Sequence, residues 1–496
     1  MNVEGVRRKG MVEKDKQEQL FYYSRCKLFS QNHPILKEDY NTKFFYFTVL
    51  YTVAQKNFKN VSYLHAVMKV YRERFNLPKE DYEKIVKLTK TNDQKELLDM
   101  LRMICGENLN VIGWQRYKYV CLAHILLLTR EVNEVSKSVF FLAIADYLDI
   151  SQALTAQIVT FVKKVNEHKF EEAGQLLAER KEFRYFNYFI QELVCYQQET
   201  NQKNCKILVV ANMSAGKSTF INSIIGKDLL PSKNEACTDK TISLQHNNRL
   251  DFFIGRKLGN ATEIDTFITS SKLIEWNQQN EQTTIELEGN LISFISKNHN
   301  ITLVDTPGTN NSRDIAHSTT TLERLQTKDF HHIFYVINAA NMGTDDDRSL
   351  FTSVLQQVSK ERWSYDITFI INKMDEIDVE ADESIEGVMD NARKYVMSLG
   401  ISKPKMIPYS AYAALLFQKY WSNQEMTRKE KKNTAYLMEI FLDGDYVLPQ
   451  FSNVGQPSVI SSDVEKMKSR YPDLTQALRN AGYFTVMSCL AEITSS

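Results

Sequence analysis

The chain of 496 residues is too long for one compact core, so two or three domains are expected. Lysine plus arginine and aspartate plus glutamate both number 61, which leaves zero formal charge. With no basic surplus and no basic, aromatic-interleaved patch, nothing calls for a nucleic-acid partner.

The seven cysteines (Cys26, Cys105, Cys121, Cys195, Cys205, Cys237, Cys489) are scattered and form no C-x-x-C pair. That pattern suits bystander thiols in a reducing cytosol and argues against a disulfide framework or a zinc site. The charged start MNVEGVRRKGMVEKDKQEQ carries no apolar segment, so no signal peptide is expected. The run YVCLAHILLLT, Tyr119 to Thr129, falls well short of the roughly 18 to 20 residues of a membrane span. A soluble, cytoplasmic protein is the expectation, with association at a membrane surface left open.

From about residue 15 to 200 the chain is rich in Tyr, Phe, Leu, Lys and Glu and poor in Gly and Pro. VSYLHAVMKVYRERF, DYEKIVKLTK, QKELLDMLRMI, WQRYKYVCLAHILLLTRE and EVSKSVFFLAIADYLDI repeat apolar residues three and four apart, which predicts helices. Polar joints at Leu77-Pro78 and Gly106–Asn110 separate them. Residues 1–200 therefore read as an all-α domain. Within it, Tyr119 to Ile150 has the outline of a helical hairpin and faintly resembles the TerB-like domains of tellurite resistance. Their acidic Asp-Gly turn is replaced here by REVNEVS, and a generic helical bundle is the better account.

The period changes after Lys206. ILVVAN, ITLVDT, HIFYVINA, ITFIIN and KMIPYS are short buried-strand candidates alternating with helical stretches, which predicts an α/β domain over 203–496: a mainly parallel sheet flanked by helices. Two stretches interrupt it. Residues 250–300 are expected to hold a helix at EIDTFITSSKLIEW and a strand at TTIELEG. Residues 417–470, with TRKEKKN and FSNVGQPSVISSD, read as an insertion or flexible piece.

Between the first strand and the helix STFINSIIG lies Ala211-Asn212-Met213-Ser214-Ala215-Gly216-Lys217-Ser218-Thr219. In a phosphate loop, successive backbone N–H groups and the positive helix end surround the phosphates. Lys217 would reach the β and γ phosphates and Ser218 would bind Mg2+ through its hydroxyl. Ala211 stands where the first glycine of such loops usually stands, a departure that matters only if the position needs positive φ or close backbone packing.

Downstream, Asp305-Thr306-Pro307-Gly308 closes the strand ITLV, where Asp305 can hold a metal-bound water and the Gly308 N–H can meet the γ phosphate. Asn372-Lys373-Met374-Asp375 closes ITFII. Asp375 can accept from guanine N1–H and the 2-amino group while Lys373 lays its stem along the ring. Adenine offers neither proton, so the carboxylate would be left unpaired, which favours GTP over ATP. Ser410-Ala411, after the next strand, can present a backbone N–H to the guanine oxygen. Four elements in this chain order at the ends of buried strands predict a GTP and GDP site.

The phosphate loop, LLPSKNEACTDKT, DTPG, VINAANMGTDDDRSL and NKMD together resemble the bacterial type of the dynamin family of large GTPases, over about residues 203–415. The spacing from Thr238 to Asp305 is longer than a small Ras-like domain carries. The resemblance implies GTP hydrolysis with Mg2+ held by Ser218, Thr238 and Asp305. It gives catalytic roles to Ser214, Lys217 and Thr238, in a family where a monovalent cation, K+ or Na+, can replace the arginine finger. It implies a homodimer across the nucleotide faces, with Ala340–Arg348 reaching the partner, although a solvated acidic loop accounts for that segment equally well. Met213 departs from the glutamine of eukaryotic members, and Thr309-Asn310-Asn311 offers no Ras-like glutamine.

The stretch after Ser410 is expected to end in the last helix of the GTPase domain, DLTQALRNAGYFTVMSCLAEI, with no stalk to support membrane remodelling. Residues 1–200 could take a stalk's place or bind another protein. A GTP-gated scaffold with negligible turnover is the alternative function; a ribosome-associated GTPase would need an RNA-binding surface that the neutral composition does not supply.

Overall fold

A computed structural model describes residues 34–57, 68, 71–72, 75–89, 93–105, 112–128, 132–167, 169–178, 183, 205–212, 214–231, 240–247, 253–259, 263–278, 284–291, 301–306, 330–359, 367–378, 383–455 and 462–495. The chain divides into two compact units. One holds Met1–Asn201 with Arg249–Ile254 and Ile264–Phe267, and the other holds Gln202–Asn248, Gly255–Glu263 and Ile268–Ser496.

In the described part of Met1–Asn201 the chain is helical: α1 Tyr40–Asn57, α2 Lys79–Leu88, α3 Gln94–Cys105, α4 Ile112–Leu128, α5 Val132–Val135, α6 Val139–Tyr147, α7 Gln152–Asn166 and α8 Phe170–Ala178. The stretch VSYLHAVMKVYRERF lies mostly outside the described residues. Helices α1 and α4 pack along each other and are apolar on most sides, as a helix buried among others must be. Tyr46 of α1 meets the Trp114 ring edge-on at 6.5 Å. The run beginning at Tyr119 is thus part of a core helix. No single helix among the described residues is long and apolar enough to cross a membrane.

Between α4 and α6 the one-turn helix α5 falls within REVNEVS, and two residues beyond that stretch stands Ser138, whose hydroxyl accepts from Phe141 N–H at 3.2 Å and caps α6. Ser151 caps α7 in the same way, through Leu154 N–H at 3.4 Å.

The described strands form a nine-stranded sheet of order β4-β3-β5-β2-β6-β1-β7-β8-β9, of which all but Phe253–Ile254 and Ile264–Phe267 fall in the second unit. The strands are β1 Cys205–Ala211, β2 Ile242–His246, β3 Phe253–Leu258, β4 Glu263–Ile268, β5 Thr284–Gly289, β6 Ile301–Asp305, β7 His332–Asn338, β8 Ile367–Asn372 and β9 Lys405–Pro408. β6, β1, β7, β8 and β9 run parallel, while β2 reverses against β6 with Ile242 opposite Asp305. The described helices are α9 Lys217–Ile225, α10 Ser270–Asn277, α11 Asp345–Ser359, α12 Ile385–Ser398, α13 Ala411–Trp421, α14 Arg428–Leu442, α15 Ser462–Arg470, α16 Pro472–Asn480 and α17 Tyr483–Ser495.

Both faces of the parallel strands are covered, which is why they read as continuous apolar runs. Successive side chains of β7 point to opposite faces. Phe334 meets Phe220 of α9 edge-on at 5.8 Å, and Tyr335 meets Phe351 of α11 at 4.9 Å.

Two expectations need correction. The helix read at EIDTFITSSKLIEW begins only at Ser270, because Glu263–Ile268 is strand β4; Thr269 then caps the helix through Lys272 N–H. The stretch 417–470, read as an insertion or flexible piece, holds the end of α13 and the helices α14 and α15, while 456–461 of FSNVGQPSVISSD lie outside the described residues. TRKEKKN opens α14 with a capping box in which Thr427 Oγ1 accepts from Glu430 N–H at 3.2 Å and Glu430 Oε2 accepts from Thr427 N–H at 2.7 Å. Buried Leu437 and Phe441 hold that helix down. The charge run had hidden an amphipathic helix.

His332 lies buried in β7, with Nε2 at 3.0 Å from Thr368 Oγ1 of β8. Burial, with Lys405 nearby, pushes its pKa down to about 3. The unfolded chain therefore binds this proton between about pH 6.5 and about pH 3 and the folded chain does not, so the group's contribution is lost as pH falls through that window. Stability is expected to fall by up to about 1.4 kcal/mol per pH unit there. His332→Gln, which can keep a hydrogen bond to Thr368, flattens that slope in urea unfolding measured from pH 7 to pH 4; an unchanged slope would refute the assignment.

Candidate nucleotide site

Because β1, β6, β8 and β9 are parallel, their C-terminal ends open on one edge of the sheet, where the four sequence elements lie. Ala211 keeps extended strand backbone opposite Val336 of β7, so the position makes no demand for glycine. After it the chain turns sharply. Ser214 has φ +64° and Gly216 φ +86°, and Ala215 N–H donates to Asn212 C=O at 3.2 Å. Gly216 then starts α9, with Phe220 N–H on its carbonyl at 2.8 Å. A Cβ at Gly216 would stand 2.5 Å from Asn372 Nδ2, so this glycine is required both by its backbone angle and by a neighbour.

That neighbour connects the loops. Asn372 Nδ2 donates to Ala215 C=O at 2.9 Å, and its Oδ1 accepts from Ala411 N–H at 3.0 Å. The same loop is closed by Tyr409 N–H to Ile371 C=O at 2.8 Å and Met374 N–H to Tyr409 C=O at 3.3 Å. Asp375, half-buried, is oriented by Ser410 Oγ, which donates to Oδ1 at 2.5 Å. Burial raises the Asp375 pKa even though the Ser410 hydrogen bond favours the carboxylate. Lys373 sits at φ +66° and pairs with Glu376 at 3.1 Å.

At the phosphate end Lys217 and Asp305 are both buried and form an ion pair, and the Lys217 ammonium also donates to Thr306 C=O. Burial raises the Asp305 pKa against the stabilising ammonium. Its second oxygen, Oδ2, is buried and has no hydrogen-bond partner among the described residues. Ser218 and Thr219 occupy the first turn of α9. Met213, Thr238 and Gly308 lie outside the described residues.

The donors fit a hard divalent cation such as Mg2+: an unpartnered buried carboxylate oxygen on Asp305, and the Ser218 hydroxyl following the lysine that contacts that carboxylate.

Ala340–Arg348 is more structured than a solvated loop. Asp345 and Asp346 are exposed at the start of α11, whereas Asp347 turns inward, with Tyr335 OH on its Oδ1 at 3.2 Å and Gly343 N–H on its Oδ2 at 3.4 Å. Arg348 donates to Gly343 C=O at 3.2 Å. The segment is a braced turn with two outward carboxylates.

Sequence reasoning missed one support. Ser410 N–H donates to Ala481 C=O at 3.1 Å, so the turn between α16 and α17 supports the Ser410 end of the site. Helix α17 is fixed in turn by Cys205 Sγ to Ile493 C=O at 3.9 Å and by Thr368 Oγ1 to Cys489 Sγ at 3.8 Å. The glycine in RNAGYF signals a helix end, but not what that end touches.

A phosphate loop, a braced lysine–aspartate pair and an Asn-Lys-x-Asp loop on one edge of a parallel sheet define a nucleotide-binding α/β domain. Residues 207–375 match the model of the dynamin family. Dynamin-like protein 2 of Campylobacter jejuni is 26% identical over 198 residues, covering 40% of this chain and 29% of that protein. Two solved structures of an oligomerised bacterial dynamin pair, described as sensing and tethering membranes at long range, also align. One has a TM-score of 0.33 at 15% identity, over 90% of this chain and 61% of its own. The other has 0.31 at 20% identity, over 51% and 40%. The chain thus spans less than a third of the curated relative and less than two thirds of either solved chain.

Gly482, at φ +87°, has no room for a side chain: a Cβ would lie 2.5 Å from Pro408 C=O. Gly482→Ala is expected to shift the Ala481 carbonyl from Ser410 and weaken binding of fluorescent GDP by about tenfold, or about 1.4 kcal/mol. Affinity within twofold of wild type, in a variant with unchanged circular dichroism, would remove the turn from the site.

Proposed function

We propose that this chain binds GTP and GDP at the sheet edge and hydrolyses GTP to GDP and phosphate, faster when two copies meet across their nucleotide faces. The observation that carries the reading is the oriented carboxylate of Asp375, held by Ser410 beside the loop that Asn372 ties to Ala215. A carboxylate so placed accepts the two protons of the guanine edge and is left unpaired by adenine.

The backbone of residues 212–217 and the N-terminal end of α9 receive the phosphates. Phosphate oxygens compete with Asp305 for the Lys217 ammonium, which frees that carboxylate to face the cation. Mg2+, held through Ser218, Thr238 and Asp305, would neutralise charge on the β and γ phosphates. Ser214, in its left-handed turn, stands where charge builds on the bridging oxygen, and Thr238 orients the attacking water. The exposed Asp345 and Asp346, on a turn braced by Asp347, supply the contact to a second copy.

Phosphate release is expected from GTP and not from ATP, and is lost in Lys217→Ala. Equal release from both nucleotides, or activity that survives the lysine change, sinks the assignment. The buried Lys217–Asp305 pair also suits a GTP-gated scaffold, because opening it could be the conformational signal itself. Specific activity that rises with protein concentration supports the dimer-stimulated enzyme; a flat, very slow rate supports the scaffold.

Base recognition has its own test. In Asp375→Asn the acceptor pair becomes one acceptor and one donor, which suits xanthine, whose 2-oxo group replaces the 2-amino group. Preference is expected to shift from GTP toward XTP by about tenfold or more, measured by competition against fluorescent GDP. A variant that still prefers GTP places the base elsewhere.

A further inference from the structure

Helix α9 ends at Gly226, and near that end unit two carries a cleft of about 1160 Å³ that the nucleotide site does not use. Its walls come from the end of α13 and the turn after it, from α14, and from the junction of α15 with α16. The lining includes Met426 and Met438 and the rings of Tyr420, Trp421 and Tyr471. Tyr420, 51% exposed, meets Tyr471 edge-on at 6.4 Å, and the Arg470 guanidinium lies 5.4 Å from the Tyr471 ring centre.

The charge in this cleft is positive on balance. Lys431 and Arg470 both line it, and among the described residues neither forms an ion pair. Lys419 nearby is saturated by contrast, by Asp228 and Glu430 together. One carboxylate, Glu425, lines the cleft against the two cations.

We propose that this cleft binds an acidic peptide segment of a partner protein, with an aromatic or aliphatic side chain seated among the rings and methionines and a carboxylate between Lys431 and Arg470. The volume exceeds the roughly 300–1000 Å³ typical of small-molecule pockets, which favours a peptide. Methionines adapt to varied apolar side chains, and tyrosine, tryptophan and arginine are the residues that anchor protein contacts.

The cleft is also wired to the phosphate-loop helix. Gln424, in its lining, donates to Gly226 C=O at 2.8 Å, and Lys419 holds Asp228 two residues on. Peptide binding therefore alters the chain that leaves α9 toward Thr238; this second half rests on the proposed nucleotide site.

The test uses the full chain without nucleotide, applied to an immobilised octapeptide library with Asp, Glu, Lys and Ser varied around aromatic and aliphatic positions. Acidic sequences bearing a ring or a leucine are expected to enrich. The enriched peptide, labelled and titrated by anisotropy, is expected to bind about tenfold or more weakly to Lys431→Gln/Arg470→Gln and to the milder single Arg470→Gln in proportion. Enrichment of basic or uncharged sequences, or equal affinity for a folded double variant, overturns the proposal. With GDP bound, the peptide is expected to change fluorescent GDP release by about fivefold in wild type and not in Gln424→Ala. Unchanged release in a chain that binds both ligands overturns the coupling. Peptide binding without any GDP binding would overturn the nucleotide reading and leave the peptide site standing.

Discussion

The side-chain amide of Asn372 donates to the phosphate loop at Ala215 and accepts from the first residue of α13, and these two bonds set the distance between the phosphate end and the base end of the site. An amide can do this because it carries a donor and an acceptor on one rigid plane. Gly216 is shaped by the same residue: with the amide where its Cβ would be, any other side chain would push the loop off the strand. Asp375 and Ser410 inherit their positions from the backbone on either side of this bridge.

Around that bridge several buried polar groups are held by specific partners. The Lys217–Asp305 pair is fully withdrawn from water, an arrangement that is costly if either partner is lost. Asp347 is held between Tyr335 and Gly343, and Ser223 Oγ lies 2.8 Å from Tyr409 OH beneath α9. The polar floor of the site is thus hydrogen-bonded, while Ser214 in the loop above it is exposed.

Much of the candidate site was legible because its parts are local. Gly216-Lys217-Ser218, Asp305 at a strand end and Asn372 with Asp375 each declare themselves within a few residues, and buried parallel strands advertise themselves as apolar runs. What misled was equally local. Glu263–Ile268 reads EIDTFI, which breaks strict alternation at Asp265-Thr266 and runs directly into a helical stretch, so its strand left no clear period of two. TRKEKKN looked like a solvated run because its helix buries only one stripe, and the residues that bury it, Leu437 and Phe441, come later.

The sequence by itself determined the order of elements, the helical character of the first part, the α/β character of the second and the residue types able to meet phosphate and guanine, since each depends on neighbours a few positions away. Only the tertiary structure decided that Asn372 reaches Ala215, that Ala481 supports Ser410, and that Ala211 needs no glycine. It also decided which cations are spent, as Lys419 is on Asp228 and Glu430, and which are left to face a cleft, as Lys431 and Arg470 are. Those outcomes depend on contacts between positions tens to hundreds of residues apart, and a hydrogen bond or an ion pair is fixed by distance and direction in space rather than by spacing along the chain.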